Sequence, residues 1–373
     1  MKARAFVLLT CVVVVLAGLV LVAGEGFIRH RERSRTVPGT MPLLYYRHAR
    51  LHHALVRDFS YFRWARVDTA GFRWTDDGRR PGGGRPVILV LGSSTTFDTE
   101  VSGDLKAWPA RLEAWLREQP SGVAGAVLNG GVSGYRVVDQ LVRLETDLAD
   151  FHPDLILLYE AHNDLFATLA GSASQERHRP GRTPTFAPWT AWLEAHSLLY
   201  GKVMGRLKVM RFRGARGGHG ARGPAVWDSL IQAGAERFER DLESLVAVAG
   251  ARGIPIVLMT VTHVSSGDSL PSSEEVTRNW ANTLPGVPPV TVLKTYRAIN
   301  ARIAAVAQRH GIAFIDGAAS GVVGLDLYAE GDPVHFNDVG ADRFARFVAR
   351  ELVRPRPDTT RGASHARPEP RLQ

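Results

Sequence analysis

The sequence holds one cysteine, Cys11, among 373 residues. That excludes an intrachain disulfide and any metal site built on a cysteine cluster. A chain this poor in cysteine tolerates an oxidising compartment without requiring one. Aromatics are also scarce within its arginine-rich stretches. Its 46 basic and 37 acidic residues leave a net charge of +9. Much of the arginine follows the N-terminal apolar run, crowds residues 202–222, or lies in the C-terminal tail. A base-stacking surface needs aromatics among those cations, so no nucleic-acid partner is expected. A solvated basic surface, or contact with anionic headgroups, accounts for the charge. No internal repeat is present, which excludes a solenoid.

Charge is absent altogether from residues 5–24, AFVLLTCVVVVLAGLVLVAG. As a helix, this run of about 20 residues spans about 30 Å, the thickness of a bilayer core. It is longer than the apolar region of a cleaved signal, and Leu21-Val22-Ala23 matches a cleavage site poorly. An uncleaved transmembrane signal anchor over 5–24, after a short flank at 1–4, is therefore expected ahead of a cleaved signal. A buried core helix is rarely apolar on every face. Lys2 and Arg4 precede the run and Arg29, Arg31, Arg33 and Arg35 follow it, so charge does not set its orientation.

Residues 25–85 read as a juxtamembrane segment, ending in the breaker run Pro81-Gly82-Gly83-Gly84. From 86 to 353 the pattern becomes regular. Strands are predicted at Val87–Leu91, Ala126–Leu128, Leu155–Tyr159, Pro255–Thr260 and Ala313–Ile315. Helices are predicted at Ala107–Glu118, Val137–Asp150, Ala233–Arg252, Thr295–His310 and Asp338–Val353. Apolar strands alternating with helices specify a three-layer α/β/α domain around a central parallel sheet of about five strands. Two segments break the rhythm. Residues 165–230 form an insertion, expected to cover part of the cleft because it follows the third strand. Residues 354–373 read as a disordered tail.

Ligand sites in such sheets form at the carboxyl ends of the strands. After the first strand comes Gly92-Ser93-Ser94-Thr95-Thr96, small residues that permit a tight turn exposing a serine. After the second comes Asn129-Gly130-Gly131-Val132-Ser133-Gly134-Tyr135, where glycines let backbone N–H groups approach a substrate. After the third comes Glu160-Ala161-His162-Asn163-Asp164, with a side-chain amide able to donate to developing negative charge. Asp332-Pro333-Val334-His335 places a carboxylate three residues before a histidine it could orient.

In order and spacing these clusters resemble the sequence blocks of SGNH/GDSL hydrolases, over about residues 85–350. The anchor and Gly71-Phe72-Arg73 look like membrane-anchored bacterial members. The resemblance implies a flavodoxin-like SGNH fold and a serine esterase acting outside the cytoplasm on a carbohydrate O-acyl or lipid-like ester. It implies Ser94 as nucleophile with His335 and Asp332 completing a triad, and an oxyanion hole from Ser94, Gly134 and Asn163. It implies no cofactor and no metal. Two positions depart from the family pattern: Ser93 stands where Asp is usual, and Ala161 where Gly is usual. An O-acyltransferase with the same triad, and a tethered binding protein on this fold, are the alternatives.

A literal GDSL at Gly267-Asp268-Ser269-Leu270 lies on a polar loop, with no glycine and asparagine clusters after it in order, so Ser269 is not the expected nucleophile. His162 and His263 are expected to be structural, Glu160 and Asp164 to organise the asparagine loop, and Trp108 and Tyr135 to pack.

Overall fold

The computed structural model describes residues 2–38, 41–75, 86–118, 126–170, 190, 192–193, 196–215, 222–265 and 273–354. The apolar run lies in a longer helix, α1 (Lys2–Arg33), because no proline follows it until Pro38 and the arginines beyond Gly24 are good helix formers. It is the one described helix long and apolar enough to cross a membrane. Residues 41–75 then build two small antiparallel hairpins. β1 (Tyr45–Tyr46) pairs with β2 (Ala54–Leu55), and β3 (Phe59–Tyr61) with β4 (Ala65–Val67). This stretch, read from sequence as juxtamembrane, docks on the sheet through a bridge between Arg73 and Asn129.

The next elements are β5 (Val87–Gly92), α2 (Ser94–Phe97), α3 (Trp108–Arg117), β6 (Ala126–Gly131), α4 (Val137–Glu145), β7 (Leu155–Tyr159) and α5 (His162–Ala170). After them come α6 (Leu198–Ala215), α7 (Pro224–Ala251), β8 (Ile256–Met259), α8 (Glu274–Thr283), α9 (Pro289–His310), β9 (Ala313–Ile315) and α10 (Asp338–Val353). Strands β5 to β9 form one parallel sheet in the order β6-β5-β7-β8-β9. This is the five-stranded α/β/α architecture expected from the sequence. Leu89, Val90, Ile156 and Leu157 have almost no exposure, so both faces of the sheet are covered.

The boundaries differ where a local cue was misread. Strand β6 runs to Gly131, because its glycines stay paired with β5 up to Gly92↔Gly131. Helix α4 ends at Glu145 rather than Asp150. The Arg252 guanidinium takes the carbonyls of Leu144, Leu148, Ala149 and Phe151, which closes the chain into a turn. Helices α7 and α9 begin earlier than expected, each on a proline in its first turn. Proline is compatible with that position because its missing N–H has no intrahelical partner there. Helix α8 was not expected; Ser273 caps it and Val276 and Trp280 bury its apolar side.

Of the insertion expected to cover part of the cleft, residues 171–189 and 216–221 lie outside the described residues. Helix α6 packs along α1 and against Pro42–Leu44. The Glu25 carboxylate accepts from Leu198 N and Leu199 N at the start of α6, and Lys202 pairs with Glu32 at 2.7 Å. A second apolar cluster links Ile28 of α1 and Leu198 of α6, through Leu44, Tyr61 and Trp64, to Phe97 and Tyr135. Residues 267–270 and 355–373, the sites of the literal GDSL and the expected tail, lie outside the described residues.

Candidate active site

Parallel register brings the three expected loops level. Gly92 of β5 lies opposite Gly131 of β6 and Tyr159 of β7. The chain crosses from β6 back over β5 to β7, so the switch point of the sheet lies between β5 and β7. Ser94 leaves one of those strands and Asn163 the other.

Ser94 is the first residue of α2, a single turn closed by bonds from Phe97 N to Ser93 O and from Asp98 N to Ser94 O. Glycine below it is what lets this turn sit on the sheet. A Cβ on Gly131 would drive into the backbone of Phe97, and one on Gly92 into Thr96 and the Tyr159 carbonyl. Asp98 ends the turn at φ 69, its Oδ2 accepting from Trp108 N at 2.8 Å. Arg73, fully buried, donates to the carbonyls of Phe97 and Asp98 at 2.7 and 2.8 Å and to Asp104 at 3.1 Å. Arg73 was quoted from the sequence only as part of the resemblance. Its support of the Ser94 turn had no local signal.

His335 and Asp332 come from the loop before α10. The Asn337 side chain fixes that loop, accepting from Val339 N and Gly340 N and donating to the carbonyls of Asp326 and Tyr328. His335 Nε2 lies 2.8 Å from Ser94 Oγ, and His335 Nδ1 lies 2.9 Å from Asp332 Oδ2. The other oxygen, Asp332 Oδ1, accepts from Val334 N and His335 N at 2.8 and 2.9 Å. Burial pulls the His335 pKa down, but the charge and hydrogen bond of Asp332 outweigh it and hold the imidazole above its ordinary value. For Asp332 burial pushes the other way, and His335 with the two amides holds the carboxyl below its ordinary value. A base oriented on a serine hydroxyl, with a carboxylate behind it, can activate that hydroxyl as a nucleophile.

Gly134 takes a positive φ of 84, as its turn requires. Asn163 Nδ2 donates to Tyr135 O at 2.8 Å, tying the asparagine loop to the glycine loop. An amide nitrogen carries two hydrogens, so one remains for a ligand. Asp164 Oδ2 accepts from Val137 N at the start of α4; burial first, and then Asp139 and Asp241, push its pKa up to about 7. Glu160 is buried, and burial, then Asp164 and Asp139, raise its pKa well above the ordinary value.

His162 bonds Tyr296 Oη at 3.0 Å, and burial, with like charge on His335 and His263, lowers its pKa to about 3. His263 lies tilted on the Tyr296 ring, and burial lowers its pKa to about 4. Both are neutral packing residues behind the site. Trp108 is fully buried, its indole donating to Thr95 O at 2.9 Å, and Tyr135 is buried too. Glu100 was not singled out from sequence. Its carboxyl faces the charge of His335, while burial raises its pKa. No group of three or more His, Cys, Asp or Glu among the described residues is placed to hold a metal ion.

The GDSL-like Lipase/Acylhydrolase family matches residues 90–343. The chain belongs to this family. It is thereby an ester-hydrolysing enzyme, and the match encloses all the residues that meet at Ser94, but not Arg73 or the hairpins before it. Among solved structures, the enzyme is similar to Axe2, an acetylxylan esterase from Geobacillus stearothermophilus, at 17% identity and TM-score 0.44, over 73% of this chain and 96% of that one. It is also similar to a G-D-S-L family protein from Desulfitobacterium hafniense, at 13% identity and TM-score 0.41, over 71% of this chain and 99% of that one. A third is LAE5, an alpha/beta hydrolase from the metagenome of Lake Arreo, at 15% identity and TM-score 0.41, over 71% and 94%. No curated protein matches the chain.

Proposed function

We propose that this enzyme is a membrane-tethered serine esterase, with Ser94 as nucleophile, His335 as general base and acid, and Asp332 as the group that orients and charges the imidazole. The observation that carries the reading is the unbroken relay from Ser94 Oγ to His335 at 2.8 Å and on to Asp332 at 2.9 Å. Ser94 Oγ attacks the ester carbonyl, its proton passes to His335 Nε2, and the carbonyl electron pair moves onto oxygen. Collapse breaks the bond to the alcohol, which leaves with the proton from His335. Water then attacks the acyl-serine, its proton passing to His335, and the acid departs as Ser94 is reprotonated.

The developing oxyanion is held by the N–H groups of Ser94 and Gly134 and the free hydrogen of the Asn163 amide. One such donor is worth about 3–4 kcal/mol in the transition state. The substrate is a carbohydrate O-acyl or lipid-like ester met outside the cytoplasm. Helix α1 supports a tether, since its apolar stretch from Phe6 to Ala23 is exposed throughout and packing provides it no other partner along that length.

The test is fluorophosphonate labelling of the full chain beside Ser94→Ala. Wild-type protein is labelled and the variant is not; a variant that still labels overturns the assignment.

A further inference from the structure

A histidine of the hairpins before the family domain bonds the glycine loop. His53 Nε2 lies 2.7 Å from the carbonyl oxygen of Ser133. A carbonyl only accepts, so the ring donates here, and its proton is on Nε2. The ring is itself held. Tyr135 Oη donates to the His53 carbonyl at 2.5 Å, and the Tyr45 ring meets the imidazole edge-on at 5.0 Å. The next residues, Ala54–Leu55, are paired with Tyr45–Tyr46.

The bonded carbonyl belongs to a particular peptide. Tyr135 N donates to Val132 O at 3.2 Å, closing a four-residue turn whose third residue is Gly134 at φ 84. A positive φ at that position is the mark of a type II turn. Types I and II differ chiefly by a flip of the central peptide, here Ser133–Gly134. That peptide is planar and trans, so its C=O and N–H point in opposite directions. Whatever fixes the Ser133 carbonyl therefore also aims the Gly134 N–H.

We propose that His53 is a positioning residue for ester hydrolysis: by holding the Ser133 carbonyl it keeps the central peptide in its type II orientation, with the Gly134 N–H turned to the oxyanion. The inference rests on the proposed role of Gly134 beside Ser94. The bond also polarises the amide, which strengthens its N–H as a donor. Space favours the same arrangement. A Cβ on Gly134 would stand 3.5 Å from His53 Cε1, so the ring lies directly over the turn it holds.

The experiment uses the full chain in detergent or nanodiscs, with p-nitrophenyl acetate as substrate and a boronic acid as tetrahedral mimic. His53→Phe keeps a ring but removes the donor; His53→Gln keeps a donor. For His53→Phe we expect kcat to fall about 10- to 100-fold and the boronic acid to bind weaker by a similar factor, with KM within about threefold. His53→Gln is expected to recover kcat to within about fivefold of wild type. If His53→Phe does not fold, His53→Leu takes its place in the same comparison. Wild-type kcat in a folded donor-less variant overturns the proposal. So does an equal loss in His53→Gln, or a loss of kcat with unchanged boronic acid affinity. Ser94→Ala separates the two readings: if it keeps full turnover, the nucleophile assignment fails; if it is inactive while His53→Phe is normal, only the positioning role fails.

Discussion

Arg73 donates from one guanidinium nitrogen to the carbonyls of both Phe97 and Asp98, so the turn that carries Ser94 is held from below by a residue outside the family domain. The same side chain bonds Asp104 and the Trp64 carbonyl, and its charge lies over the rings of Trp64 and Phe97. Its burial lowers its own pKa and Asp104 counters that shift. This arginine is therefore the joint between the hairpins and the Ser94 turn.

Removing one partner of a buried pair leaves the other uncompensated and costs about 3–5 kcal/mol. Arg73→Ala is expected to lower the unfolding free energy by about that amount, read from urea denaturation. Arg73→Ala combined with Asp104→Asn should lose less than the sum of the two single changes. Strict additivity would show that the pair is not coupled.

On the proposed triad, the pH dependence of turnover follows from His335. The imidazole must be neutral to accept the serine proton, and Asp332 holds its pKa above the ordinary value near 6.5. The acidic limb of kcat/KM should therefore lie above that value, with activity rising as pH rises through it. Asp332→Asn removes the supporting charge, so the limb should move to lower pH while the rate falls by several orders of magnitude. A limb that stays in place would show that Asp332 does not set the His335 titration.

Asp98 makes a prediction about stability. Burial, opposed by the Trp108 amide and Arg73, pushes its pKa up to about 8 from an ordinary 3.8. A raised folded-state pKa contributes stability that is complete below about pH 4 and is lost as pH rises through about 8. Asp98→Asn keeps an acceptor for Trp108 N and does not titrate. Its urea midpoint relative to wild type should therefore rise between pH 5 and pH 9; a constant difference would contradict the raised pKa.

Gly131 lies under the nucleophile turn, and a Cβ there meets backbone that cannot swing aside as a side chain would. Gly131→Ala is expected to destabilise the fold by about 1–3 kcal/mol and to displace Ser94. Fluorophosphonate labelling should slow in the folded variant. Labelling at the wild-type rate would mean that the turn accommodates the methyl without moving.

Much of this enzyme was legible locally. The chemistry of its site is carried by short clusters at strand ends, and strand ends are visible as a change from β-branched apolar residues to glycine, serine and asparagine. The clusters holding Ser94, Gly134, Asn163 and the Asp332–His335 pair could thus be found in order, their roles being what the resemblance implies, and the parallel sheet followed from the alternation of strands and helices. Helices α7 and α9 start on Pro224 and Pro289, before the predicted Ala233 and Thr295, because their first turns carry little apolar periodicity.

The sequence by itself determined the periodicities and local chemistry, because these depend on near neighbours along the chain. Only the tertiary structure decided that Arg73 closes the Ser94 turn, that His53 holds the Ser133 carbonyl, and that Glu25 caps the helix at Leu198. Each of those contacts joins segments far apart in the chain, and its partner is a backbone group. Every residue carries a backbone carbonyl or amide of the same kind, so no side-chain pattern marks which one will be taken; the packing of distant elements selects it.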